Sequence, residues 1–135
     1  MPITYRVDHE AKVVFAEGTG TVTDDDVFGY QREVWSRPDV RGYHELVDVS
    51  AVKHVKLPSA QRVRDLAELS AEMEAQAGEA KRFAIVATSP IVYGLSRMFQ
   101  TYREMDQRNK TQVKVFRNRQ EALAFLGIGS PADQR

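Results

Sequence analysis

Apolar residues recur with two different periods along this chain, and the switches between them mark out the elements. Ile3, Tyr5 and Val7 alternate with polar residues at period two, which reads as a strand. A polar turn, Asp8-His9-Glu10-Ala11, separates it from a second strand that begins at Lys12-Val13-Val14-Phe15-Ala16-Glu17, so the pair predicts a hairpin. Gly18 and Gly20 interrupt that strand and point to a bulge more than to a ligand contact. Thr23 followed by three aspartates predicts a helix start, with a hydroxyl cap and negative charge at the positive end of the helix dipole. Val27, Phe28, Gln31, Val34 and Trp35 then fall at helical spacing until Pro38 closes the run.

The same alternation of elements repeats downstream. Glu45 to Ser50 reads as a third strand, followed by a loop from Ala51 to Pro58. Ser59 is placed to cap a helix from Ala60 to Ala77, whose face carries Val63, Leu66, Ala67, Ser70 and Met73 and which Gly78 would stop. Arg82 to Ala87 is a continuous apolar run suited to a central parallel strand buried on both faces. Ser89-Pro90 is a cap with proline at the first helical position, and Ile91, Val92, Leu95, Met98, Phe99, Tyr102 and Met105 form the stripe of a third helix. Gln112 to Phe116 is a fifth strand. Asn118 with Glu121 suggests a capping box for a short final helix that Gly127 ends. Strand–helix alternation after a hairpin predicts a single α/β domain over residues 1–127: a mixed five-stranded sheet, about four helices, parallel neighbours after the hairpin, and the first strand at one edge. Residues 128–135 read as a flexible C-terminal tail.

Composition narrows the function classes without naming a reaction. The chain has 135 residues and no cysteine, which removes disulfides, thiolate metal sites and cysteine nucleophiles together. The first residues lack a signal-peptide core, and no window approaches a membrane-spanning run, so the expectation is a cytoplasmic protein without membrane insertion. Formal net charge is zero, but the distribution is uneven. Six acids face one base between Asp8 and Asp26, and seven bases face two acids between Arg97 and Arg119. Charge runs of this kind usually form solvated faces. The basic stretch lacks interleaved aromatics in a neutral protein, so no nucleic-acid partner is expected.

In an open α/β sheet, ligands gather beyond the carboxyl ends of the parallel strands. That rim would hold Asp48, Ser50, His54, Thr88, Ser89 and Tyr93. Asp48, His54 and a rim serine are the ingredients of a hydrolase triad, although no Gly-x-Ser-x-Gly turn exposes a nucleophile. Asp48 is better suited to accept hydrogen bonds from loop amides. His9, His44 and His54 show no close ligand spacing, and there is no phosphate loop or dinucleotide fingerprint, so neither a metal site nor a cofactor is expected.

The ordered words Leu46-Val47-Asp48-Val49-Ser50-Ala51-Val52, Ala84-Ile85-Val86-Ala87, Val92-Tyr93-Gly94-Leu95-Ser96-Arg97-Met98-Phe99, and Val115-Phe116 with Glu121-Ala122-Leu123 and Leu126 resemble the STAS domain. The resemblance is to the SpoIIAA-like, STAS/SEC14-like branch of bacterial proteins, and it covers nearly all of residues 3–127. It implies a regulatory module for protein–protein recognition rather than an enzyme. Anti-anti-sigma factors of that family carry a phosphorylatable serine in Asp-Ser-Ser-Gly. Here the stretch reads Lys56-Leu57-Pro58-Ser59, so Ser59 alone remains near the acceptor position. The SEC14 side implies a hydrophobic ligand pocket, but a chain of 135 residues lacks the extra helices that enclose a lipid, which leaves a small ligand near Tyr93, Met98 and Phe99 as the alternative. The expected recognition surface is the loop from Ser50 to Ser59, with Asp48 and His54, together with the start of the third helix from Ser89 through Tyr93 to Arg97. Its protein partner is not specified. The aromatic and methionine content of the third helix adds the expectation of a homodimer.

Overall fold

The computed structural model describes residues 2–56, 59–77 and 81–128. Five strands form one sheet in sequential order: β1 (Ile3–Asp8), β2 (Val13–Thr23), β3 (His44–Lys56), β4 (Lys81–Val86) and β5 (Thr111–Phe116). β1 pairs antiparallel with β2, and every later neighbour is parallel. The mixed sheet with an antiparallel edge strand is the one the sequence predicts.

Side-chain alternation decides which face each residue serves. On β3, Glu45, Val47 and Val49 stand on one face and Leu46 on the other. The first face is covered by α1 (Asp24–Trp35), α2 (Ala60–Ala77) and α3 (Pro90–Met105), which pack side by side. Among the described residues, the second face carries only α4 (Arg119–Phe125), seated on Leu46, Ala84, Val86 and Phe116. β4 is thus buried on both sides, which explains its unbroken apolar run.

Helix starts follow the local chemistry. The Thr23 hydroxyl accepts the Asp26 N–H at 3.1 Å, and Asp26 Oδ2 accepts the Thr23 N–H at 2.8 Å, a reciprocal cap. Ser89 accepts the Val92 N–H at 3.2 Å, and Asn118 accepts the Glu121 N–H at 2.9 Å. Ile128, placed in the tail by sequence, donates its N–H to the Leu123 carbonyl at 3.0 Å and packs against the α4 cluster. Residues 129–135, Gly78 at the expected stop of α2, and Leu57 and Pro58 lie outside the described residues.

Two expectations need correction. The segment from Ala51 is not a loop: β3 continues through Lys56, paired with β2 up to Thr23. Val52 and Val55 supply the reason, since both turn inward and line the helix-covered face. From Glu17–Asp48 to Thr23–Lys56, β2 advances six residues while β3 advances eight, with register shifts opposite Gly18 and Gly20. The bulges foreseen at the glycines therefore exist, but the extra residues sit on β3. The second correction concerns the basic stretch. Arg103 is 1% exposed and belongs to the interior, not to a solvated face.

Candidate functional site

The residues expected at the carboxyl rim do not come together. Asp48 accepts from the Ser50 N–H at 3.0 Å and from its hydroxyl at 2.5 Å, and Arg119 of α4 approaches its other oxygen at 3.2 Å. This is the amide-accepting role the sequence suggested, now with an ion pair added. His54 is exposed and registers with Thr21, six residues further along β3. At about 3.3 Å per residue, His54 is roughly 15–20 Å from Asp48 once the bulges are allowed for. Ser59 is exposed at the start of α2, where its carbonyl accepts the Arg62 N–H at 3.1 Å. Ser89 is occupied as a helix cap. Asp48, His54 and a serine therefore form no triad, and the extended β3 is the physical reason. Tyr93 is half-buried beneath the Arg117 guanidinium, 4.1 Å from its ring centre, and Arg97 is exposed one turn further on. Among the described residues no group of three His, Asp or Glu side chains could hold a metal ion, and no helix is long and apolar enough to cross a membrane.

What the fold assembles instead lies between the sheet and its three-helix layer. There, an apolar cavity of about 160 Å³, partly open to solvent, is lined by residues of all three helices and of β1, β2, β3 and β4. Val47, Val49, Phe83, Ile85, Leu66 and Phe99 supply much of its wall. Phe83 and Phe99 meet edge-to-face with ring centres 5.7 Å apart. Gly18 contributes by what it lacks. A Cβ there would stand 3.1 Å from Val52 Cγ2 and 3.4 Å from Val49 Cγ1. Of the three residues proposed for a small ligand, Phe99 lines this cavity, while Tyr93 and Met98 pack against the surrounding cluster.

The polar residues on the wall are mostly committed to one another. Arg62 Nε meets Asp24 Oδ2 at 2.6 Å, and its guanidinium lies 4.2 Å from the Phe28 ring centre. That contact, more than its backbone hydrogen bonds, holds Asp24 below the usual carboxylate range. Gln31 Nε2 reaches Met73 Sδ at 3.8 Å, and the Ser96 hydroxyl donates to the Val92 carbonyl at 2.8 Å.

Glu45 is the exception. It is 1% exposed, at the start of β3, on the cavity face. Its Oε2 accepts the Tyr30 hydroxyl at 2.7 Å and the Trp35 Nε1–H at 3.2 Å. Its Oε1 is buried and has no hydrogen-bond partner among the described residues. Burial pushes its carboxyl up to about 7, against the pull of Lys81. Burial also drives the Tyr30 phenol well above its usual value, with the Glu45 charge adding to it.

Behind Glu45 lies a buried ion cluster at the amino ends of the strands. Lys81 Nζ sits 3.4 Å from the Trp35 ring centre and 3.0 Å from Glu74 Oε1. Arg103 donates to Glu74 Oε2 and, at 2.5 Å, to the Ser70 hydroxyl, while the Thr111 hydroxyl reaches Glu74 Oε2 at 2.8 Å. Burial alone would raise Glu74, but the two cations outweigh it and hold the carboxyl below its ordinary value. A second, polar cavity of about 190 Å³ adjoins this cluster, lined by Trp35, Arg37, Arg41, Glu74 and Lys81 among others.

Glu45, Glu74 and Lys81 lie at the end of the strands opposite the carboxyl rim, so the rim rule for α/β sheets does not point to them. One signal was present. Glu45 stands near the start of β3 in phase with Val47 and Val49, so its side chain had to share their buried face.

No family model matches the chain, and no curated protein matches it. Among solved structures, it is similar to an uncharacterized protein of the DUF3478 family with a SpoIIAA-like fold from Shewanella loihica PV-4. The match has 15% identity and a TM-score of 0.58, and covers 92% of this chain and 93% of the other. The chain therefore has a SpoIIAA-like α/β fold.

Proposed function

We propose that this protein is a binding module that takes a small, largely apolar molecule into the cavity between its sheet and helices. The supporting observation is the cavity itself: about 160 Å³, walled by valines, leucines and phenylalanines. An engineered apolar cavity of roughly 150 Å³ stays dry and accepts benzene, so a space of this size suits a one-ring or short-chain guest. Binding is favoured over turnover because most of the wall's polar groups, Arg62, Asp24 and the Ser96 hydroxyl among them, are tied up in contacts within the protein. Protein recognition at the rim, expected from the resemblance, has less support. Its residues are dispersed over the α4 face, the end of β3 and the start of α3.

Methyl-resolved NMR titration with toluene tests the reading. Saturable one-to-one shifts should appear at Val47, Val49 and Ile85, and filling the cavity with Val49→Phe should remove them. Weak shifts that grow linearly and scatter over the surface would refute it.

A further inference from the structure

The polar cavity beside the buried ion cluster has a different wall from the apolar one and is somewhat larger, about 190 Å³ against 160 Å³. Arg37, Arg41 and Lys81 line it, and among the described residues Glu74 is the only acid that does. Most of these charges are already matched. Arg37 holds Asp39 in a fork, Nε to Oδ1 at 3.0 Å and Nη2 to Oδ2 at 2.6 Å. Glu74 is shared between Lys81 and Arg103. Arg41 is different. It is exposed, directly after the 3₁₀ turn Pro38–Val40, and its side chain has no ion pair or hydrogen bond among the described residues.

We propose that this cavity binds a small organic anion with a carboxylate or phosphate head, taken by the guanidinium of Arg41 beside Arg37 and Lys81. The site is separate from the apolar cavity and does not rest on the reading of that cavity.

The charge balance carries the inference. Arg37, Arg41, Lys81 and Arg103 stand against Asp39, Glu74 and Glu45. One positive charge is left over even with Glu45 fully ionised. Lys81 is 5% exposed, and partly buried charge is screened far less than charge in open water. A cationic guest would meet three bases on the wall. A wholly apolar guest would desolvate them with nothing in return. A guanidinium fork fits the paired oxygens of a carboxylate or phosphate. Trp35 and Met73 supply apolar wall for a short carbon body.

Trp35 is the chain's one tryptophan, so its fluorescence reports on this wall. The test titrates the protein with glycerol phosphate and with succinate at constant ionic strength. Glycerol and succinamide serve as neutral counterparts. At least one acid should give a saturable change, about tenfold tighter than its neutral counterpart, and the tighter acid identifies the head group. Arg41→Gln, which removes an exposed side chain and keeps the fold, should weaken that acid about tenfold, the margin of one charged hydrogen bond. Arg97→Gln, on α3, should leave it within twofold. Lack of saturation by both acids would overturn the site. A neutral counterpart binding as tightly as its acid would overturn the selection for charge. Unchanged affinity in Arg41→Gln would overturn the role of Arg41 and place the anion elsewhere.

Discussion

The Tyr30 hydroxyl donates to Glu45 Oε2 across 2.7 Å inside the core, so a phenol on α1 and a carboxylate on β3 share one buried proton-donating contact. Trp35, one turn and a residue beyond Tyr30, adds a second donor to the same oxygen at 3.2 Å. The pairing fixes α1 on the sheet and directs the other carboxylate oxygen away from both donors. It also gives stability a dependence on pH.

Glu45 has a folded value of about 7 against an ordinary 4.5. The folded state therefore binds this proton more tightly than the unfolded chain does. Its contribution is fully present below about pH 4.5 and is lost as pH rises through 7. The difference amounts to about 3 kcal/mol at most. His44, held below its ordinary value mainly by burial, works in the opposite direction over part of the same range. Urea unfolding at pH 5 and pH 8 should thus be compared between wild type and Glu45→Gln. Wild type should lose more stability than the variant on going to pH 8, and equal losses would contradict the assignment.

Glu74 is the only acid within hydrogen-bonding or ion-pair distance of both Lys81 and Arg103 among the described residues. Glu74→Gln should cost about 3–5 kcal/mol, because it leaves two buried cations uncompensated. Thermal melts would register it as a large drop in Tm. A change within a degree or two would mean that the cations find water or other partners.

Gly18 lines the cavity at a point where a methyl group would press on Val52. Gly18→Ala should weaken toluene binding severalfold while folding is retained. An unchanged affinity would show that Val52 moves aside and the space is kept.

The rim residues give the opposite expectation. Ser59 is exposed at the start of α2, and Tyr93 stacks on Arg117 outside the cavity wall. Ser59→Asp and Tyr93→Ala should each leave toluene affinity within about twofold of wild type. A large loss from either would place the guest at the rim instead.

Much of the architecture was legible in the sequence because local chemistry and tertiary demand coincide there. The Thr23 cap, the Ser89-Pro90 start and the two-sided apolar run of β4 each carry their own signal. The length of β3 was not legible. Its continuation through Val52 and Val55 depends on two bulges that rephase it against β2, and a bulge breaks the period-two pattern by which a strand is read. Arg103 and Lys81 were hidden for a related reason. A cation in an amphipathic helix or at a strand start reads as solvated, and only the approach of Glu74 from α2 makes its burial affordable.

The claim on which the rest depends is that a real apolar space separates Val47 and Val49 on β3 from Phe99 on α3. A crystal of the protein under xenon pressure measures this most directly, since xenon enters dry apolar cavities. The account predicts a xenon site walled by Val47, Val49, Phe83, Ile85 and Phe99. Side chains closed over that space with no xenon, or ordered water filling it, would contradict the account.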